Sequence, residues 1–123
     1  YTAPLDLAAM ERAARYLEGT HDFSSFTIDR TPGKSKVRTI RAIRMEQQGH
    51  LLLIRYEGDG FLYNMVRILT GTLLEVGDGR KRAEDIPGIL EKKQRAAAGF
   101  TAPAQGLFLE RVLYEEADIQ EQC

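Results

Sequence analysis

The sequence predicts an α+β domain, a small mixed or antiparallel sheet with helices packed on one face. Three observations carry this. Leu5, Ala8, Ala9, Arg12, Ala13, Tyr16 and Leu17 recur at helical spacing; two strand-like runs meet at a tight turn; and a nearly apolar helix follows them. The resulting order is helix, strand, strand, helix, helix, strand, which suits a sheet covered on one side.

The first helix spans about 5–18, with Asp6 near its start, where negative charge suits the helix dipole, and Gly19 as its stop. Residues 20–26 read as a connecting segment, and 31–36 as a loop around Pro32-Gly33. Residues 37–46 and 51–57 read as strands joined at Gln47-Gln48-Gly49-His50. The second is apolar on both faces over Leu51 to Ile54, as a central strand is. Gly58-Asp59-Gly60 breaks it, and a helix runs from about Phe61 to Val76 with Gly77 as its stop. Asp59 or a neighbour is the expected cap. A short helix lies near 83–93, where Pro87 is tolerable only in the first turn. Residues 102–106 form a loop, 107–114 a final strand, and the acidic tail from Glu115 is expected to fray. So small a sheet with a long final edge invites a partner sheet.

At 123 residues the chain has the size of one domain, 1–123, able to bury a core without staples. Its net charge of −1 does not announce a nucleic-acid partner, so any RNA contact needs a local basic patch. The single cysteine, Cys123, allows no internal disulfide and reads as a passive exposed thiol, compatible with a reducing cytoplasm. No Cys/His framework for a metal is present, and no phosphate loop or catalytic triad pattern. The longest clear apolar run, Leu51 to Ile54, is far short of the roughly 20 residues of a membrane span, and no secretory signal opens the chain. The chain begins at Tyr1 without an initiator methionine, as a processed or trimmed piece of a longer polypeptide does.

Arg67 is the only cation on the apolar helix. Asn64, Arg67 and Gly71 share a narrow polar stripe at i, i+3 and i+7, with Gly60 one turn earlier. A buried arginine is costly unless it meets an anion or several acceptors. Either Arg67 reaches water or pairs with an acid of this domain, or it serves an anion supplied from outside. Arg38, Arg41 and Arg44, with Arg30, Lys34 and Lys36 upstream, form a cationic run; Arg38 and Arg44 share strand parity and Arg41 has the other. The run reads either as a phosphate-binding surface or as a solvated edge charged against aggregation. His21 beside Asp22 reads as a turn residue bonded to backbone or as an acid/base candidate; Phe23 and Phe26 read as core anchors. Composition and spacing reach a soluble α+β domain with a buried cation, and no reaction.

The exact words of the sequence go further. Gly19-Thr20-His21-Asp22-Phe23-Ser24-Ser25-Phe26, Val37-Arg38-Thr39-Ile40, Gly60-Phe61-Leu62-Tyr63-Asn64-Met65-Val66-Arg67, Gly71-Thr72-Leu73-Leu74-Glu75-Val76-Gly77 and Thr101-Ala102-Pro103-Ala104-Gln105-Gly106-Leu107-Phe108-Leu109 resemble, in order, the successive motifs of the tRNA pseudouridine synthase A family. The resemblance covers about 19–109, and Pro4-Leu5-Asp6-Leu7 resembles the family's entry into its second half.

It implies one half of a two-part fold whose sheets join across an RNA-binding cleft. It also implies a cytoplasmic, homodimeric enzyme that isomerises uridine to pseudouridine in the anticodon stem-loop of tRNA without a cofactor. The family's nucleophile is the aspartate of an Arg-Thr-Asp motif in the N-terminal half, which also carries its base-stacking tyrosine. No Arg-Thr-Asp occurs here: Arg38-Thr39 is followed by Ile40. The chain alone is therefore expected to be inactive. By resemblance Arg67 is the arginine that pairs with the aspartate, and Leu107 lines the base pocket. Arg38, Lys36, Lys34 and His21 are the candidate RNA contacts. The competing readings are a stand-alone RNA-binding or scaffold module that kept this fold, and a small-ligand regulatory domain with no use for Arg67.

Overall fold

Asp6 opens the first helix. A computed structural model of the chain describes residues 5–28, 33–48, 51–62 and 64–102; the expected strand 107–114, Leu107, Arg30, Tyr63 and Cys123 lie outside them. In α1 (Leu7–Leu17) the Asp6 carboxylate accepts the Ala9 N–H at 3.1 Å, satisfying one of the donors that a helix start leaves without an internal partner. The helix lays Ala9, Met10, Ala13, Ala14 and Leu17 into the core and ends at Glu18. Gly19, at φ 103°, turns the chain into β1 (Gly19–Asp22).

That strand corrects the reading of 20–26 as a mere connection. β1 pairs antiparallel with β2 (Val37–Gln48), which pairs antiparallel with β3 (Leu51–Gly58), in the order β1-β2-β3. Its four residues carry no apolar alternation to announce a strand; pairing with β2 makes them one. The rest of the segment is a short 3-10 turn, Ser24–Phe26, whose buried Ser25 donates to Ile89 O at 2.7 Å and accepts from Gln94 N at 2.9 Å.

β2 contains a bulge. Ile40 pairs with Gly58 and Ala42 with Glu57, so Arg41 is an extra residue on β2. Ile40 and Ile43 therefore both enter the core although three positions apart. The same insertion puts Arg38 and Arg44 on opposite faces, against the expectation from their parity. Beyond the bulge β1 no longer covers β2. There Ile43 N–H donates to Glu18 Oε2 at 2.8 Å and Ile43 O accepts from Arg15 Nη2, while Arg15 and Glu18 pair at 3.1 Å. Side chains at the end of α1 thus satisfy backbone groups that a longer β1 would have paired.

Asp59 does not cap a helix. Its carboxylate and N–H both bind Thr39, extending the β2–β3 end of the sheet. Phe61 and Leu62 are buried outside any helix, and α2 runs from Met65 to Gly77, four residues later than expected. Asn64 precedes it in the left-handed conformation at φ 60° and makes no side-chain cap. Gly60, at φ 154°, is accordingly not part of the α2 stripe.

α2 is buried on nearly every side. Tyr56 of β3 donates or accepts at Thr70 Oγ1 (2.7 Å), α1 meets it where a Cβ on Gly77 would lie 2.6 Å from Met10 Sδ, and residues 98–102 cover a third side. The expected helix near 83–93 is a 3-10 turn, Ala83–Asp85, leading into α3 (Ile86–Lys92), with Pro87 in its first turn. The helices lie against the sheet face that presents Ile40, Ile43 and Tyr56. No helix among the described residues is long and apolar enough to cross a membrane.

Candidate functional site

Arg67 sits in the first turn of α2, half-buried, with Met65, Val66, Ile68 and Leu69 around it wholly in the core. Its Nε donates to Ala102 O at 2.8 Å and its Nη1 to Asn64 Oδ1 at 3.2 Å. The left-handed turn at Asn64 sends that amide oxygen to the guanidinium instead of to the helix start. Among the described residues no carboxylate pairs with Arg67, and its Nη2 has no hydrogen-bond partner. A guanidinium carries five N–H donors, and two are used here, both by neutral oxygens. One end of the fork is left uncommitted, the end suited to a carboxylate or phosphate.

What holds Arg67 is a strap the sequence reading did not foresee. Residues 98–102 run antiparallel along α2. Ala102 N–H returns a hydrogen bond to Arg67 O at 3.0 Å, Gly99 N–H donates to Thr72 Oγ1 at 2.9 Å, and Phe100 N–H donates to Glu75 Oε2 at 3.1 Å. The approach is close because α2 carries Gly71: a Cβ there would lie 1.7 Å from Phe100 O. Thr72 also donates to Ile68 O at 2.8 Å, which orients its oxygen as an acceptor for the strap. Glu75 is buried, and its other oxygen accepts from Lys81 Nζ at 2.8 Å. Outside the helix, Arg80 lies over the Phe100 ring at 5.9 Å and Arg95 donates to Thr101 Oγ1 at 2.9 Å. Burial pulls Arg95 below its ordinary value, opposed by the nearby charge of Glu75. The sequence signal for this was a glycine inside a buried helix, with Thr and Glu one and four residues after it.

The candidate RNA contacts gather elsewhere. His21 and Arg38 face each other across β1 and β2, on the side of Ile40. His21 Nε2 is 2.8 Å from Glu18 O and its ring meets Phe23 edge-on, so the ring is bonded to backbone as expected but from a strand, not a turn. Arg38 donates to Ser35 O and Val37 O, and Lys36 donates to Lys34 O at 3.3 Å in the exposed run before β2. Asp22 is bound by the Ser24 N–H and hydroxyl. Burial raises its pKa, but these bonds, with Lys93 and Lys36 nearby, outweigh it and hold the carboxyl below its usual value. His21 and Asp22 are successive residues of β1, not of a turn, and the two side chains have separate partners. On the opposite face Arg44 pairs with Glu57 at 3.1 Å and Arg41 donates to Gly58 O. The start of β2 and the end of β3 lie at one end of the sheet, where Arg38 and Arg41 are found. Among the described residues no group of His, Cys, Asp and Glu is placed to hold a metal.

A family model described as tRNA pseudouridine synthase matches residues 13–115. The chain is 51% identical over 110 residues to the tRNA pseudouridine synthase A of Acetivibrio thermocellus, covering 89% of this chain and 45% of that protein. It is 52% identical over 117 residues to the tRNA pseudouridine synthase A of Anoxybacillus flavithermus, covering 94% and 48%. For the protein of that name from Bacillus licheniformis the values are 50% over 111 residues, 90% and 45%. The chain thus spans about half the length of the curated relatives it matches.

Proposed function

The chain belongs to the tRNA pseudouridine synthase family, and from that premise we propose that it is the half of such an enzyme that presents Arg67 to a catalytic aspartate and helps to bind tRNA. The complete polypeptide, on this reading, isomerises uridine to pseudouridine in the anticodon stem-loop. It needs no cofactor, since the C1′–N1 bond and the C5–H bond are exchanged for C1′–C5 and N1–H bonds with no oxidant, reductant or group donor consumed. The aspartate comes from an N-terminal half bearing the Arg-Thr-Asp motif, and the working enzyme is a cytoplasmic homodimer. Leu107 lines the base pocket. Arg38, Lys36, Lys34 and His21 contact the RNA, chiefly its phosphates.

One observation supports this most: the guanidinium of Arg67 is fixed by two neutral oxygens and pairs with no carboxylate among the described residues. A cation fixed in a half-buried place lowers the pKa of an incoming carboxylate by about 1–3 units. The aspartate is then ionised, as a nucleophile must be. The test is Arg67→Lys and Arg67→Met in the polypeptide that joins this chain to its N-terminal half, assayed on unmodified tRNA. Lysine cannot hold Ala102 and Asn64 and still offer a planar fork, so both variants should lose roughly 10²–10³ in kcat, the scale of one lost electrostatic partner, with tRNA affinity kept. Full turnover by Arg67→Met would rule the assignment out.

A further inference from the structure

The strap has a use beyond packing. We propose that residues 99–102 set the position of the Arg67 guanidinium, and that Thr72 and Glu75 are positioning residues acting on it through the strap. The proposal rests on the reading of Arg67 as the partner of a catalytic carboxylate.

Arg67 is bound to the strap twice at one residue, through its backbone oxygen to Ala102 N–H and through Nε to Ala102 O. Wherever Ala102 goes, the guanidinium follows. Ala102 in turn cannot choose its place along α2. Gly99 is tied to Thr72 and Phe100 to Glu75, five and eight residues beyond Arg67 along α2. Gly99 itself is pressed so close that a Cβ would meet Thr72 Cα at 2.8 Å. Phe100 rests on Gly71, where a Cβ would lie 1.7 Å from Phe100 O. These contacts together hold the strap in its register, and the register is read out at Arg67.

The chemistry explains why such a device is useful. An electrostatic partner speeds a reaction in proportion to how well it is oriented beforehand, because reorientation during the reaction is costly. Arginine brings many rotamers to that task. Fixing Nε and Nη1 on neutral oxygens removes that freedom without spending the charge, and the strap supplies the Nε contact. Asn64 supplies the other from the left-handed residue just before the helix.

The experiment follows Arg67 Nε–H directly, by nitrogen-15 NMR hydrogen exchange on this chain, in two pairs of variants. Thr72→Val removes the acceptor for Gly99 N–H at nearly constant volume, and Thr72→Ser keeps it. Glu75→Leu removes the acceptor for Phe100 N–H, and Glu75→Gln keeps one; this pair serves if Thr72→Val does not fold. Each acceptor-deleting variant should speed Nε–H exchange by about tenfold, the size of one hydrogen bond's net contribution. The paired variant should not, and the Arg44 and Arg55 amides, a hydrogen-bonded pair of the sheet, should stay protected in all. Unchanged Nε–H exchange in Thr72→Val and Glu75→Leu would overturn the proposal, as would loss of protection spread evenly over the sheet amides. The joined polypeptide supplies a second reading: kcat should fall in Thr72→Val with KM unchanged and recover in Thr72→Ser. Faster Nε–H exchange with unaltered kcat supports the strap as the hold on Arg67 and defeats the reading of Arg67 as the carboxylate's partner.

Discussion

Gly71→Ala should destabilise the protein, although alanine is the better helix former. In an exposed helix this change is worth about 1 kcal/mol in favour of alanine. At Gly71 the new Cβ would stand 1.7 Å from Phe100 O, where an ordinary contact is roughly 3.5 Å. The strap has to retreat by somewhat under 2 Å, enough to carry bonds now at 2.8–3.1 Å past any useful length. Two neutral hydrogen bonds, at about 1 kcal/mol each, and two charge-assisted ones, at about 1.5 kcal/mol each, are then lost. Against this loss near 5 kcal/mol alanine returns about 1, so the expected net cost is about 4 kcal/mol, or about 1.5 kcal/mol if only the Ala102 end lifts. Urea unfolding followed by far-ultraviolet circular dichroism reads this as a lower midpoint at constant slope. Gly88→Ala in α3 is the control, since nothing lies within 4 Å of its Cβ position and stabilisation of about 0.5–1 kcal/mol is expected. If Gly71→Ala stabilises as Gly88→Ala does, the strap does not lie where we describe it.

The chain by itself should form no pseudouridine in unmodified tRNA, and site-specific product from the pure chain, detected by nucleoside mass spectrometry, would contradict this. Tyr56 is buried with its hydroxyl on Thr70, and burial pushes its pKa above the ordinary 10.0, against the lesser opposing effect of Thr70. The unfolded chain therefore releases this proton first, so stability should fall by up to about 1.4 kcal/mol per pH unit above pH 10, and Tyr56→Phe should remove that part of the slope. Asp22 behaves oppositely: its native pKa lies below the ordinary value of 3.8, so its contribution is present above that pH and is lost as pH falls through the native pKa. Acid titration of Asp22→Asn should show a shallower loss than the parent below pH 4. RNA binding, measured by filter retention, should weaken steeply with salt, and charge reversal at Lys36 and Arg38 should weaken it equally across RNA sequences.

The sequence made some of this legible by residue type and almost none of it by contact. Periodicity located α1, which buries one face, and unbroken apolar runs located β3 and α2, the latter buried on nearly every side. It could not show β1, whose four residues are a strand only through their pairing with β2. Nor could it show the bulge at Arg41, which moves Arg44 to the face opposite Arg38 by inserting one residue. It began α2 too early because Phe61 and Leu62 are as buried as helix residues, while nothing apolar marks the left-handed turn at Asn64. Arg67 stood out as a lone cation on an apolar helix, yet the oxygen that fixes it belongs to Ala102, 35 residues away, a small apolar residue with no chemistry to attract notice. Glycines are the nearest thing to a trace of such contacts, and even they are ambiguous. Gly71, Gly77 and Gly88 all occupy helices, and a Cβ would meet backbone at the first, a side chain at the second and nothing at the third. What separates them is the tertiary neighbour, not the local sequence. A residue that acts is thus recognisable from its charge and setting, whereas the residues that aim it are recognisable only once the chain has folded back onto them.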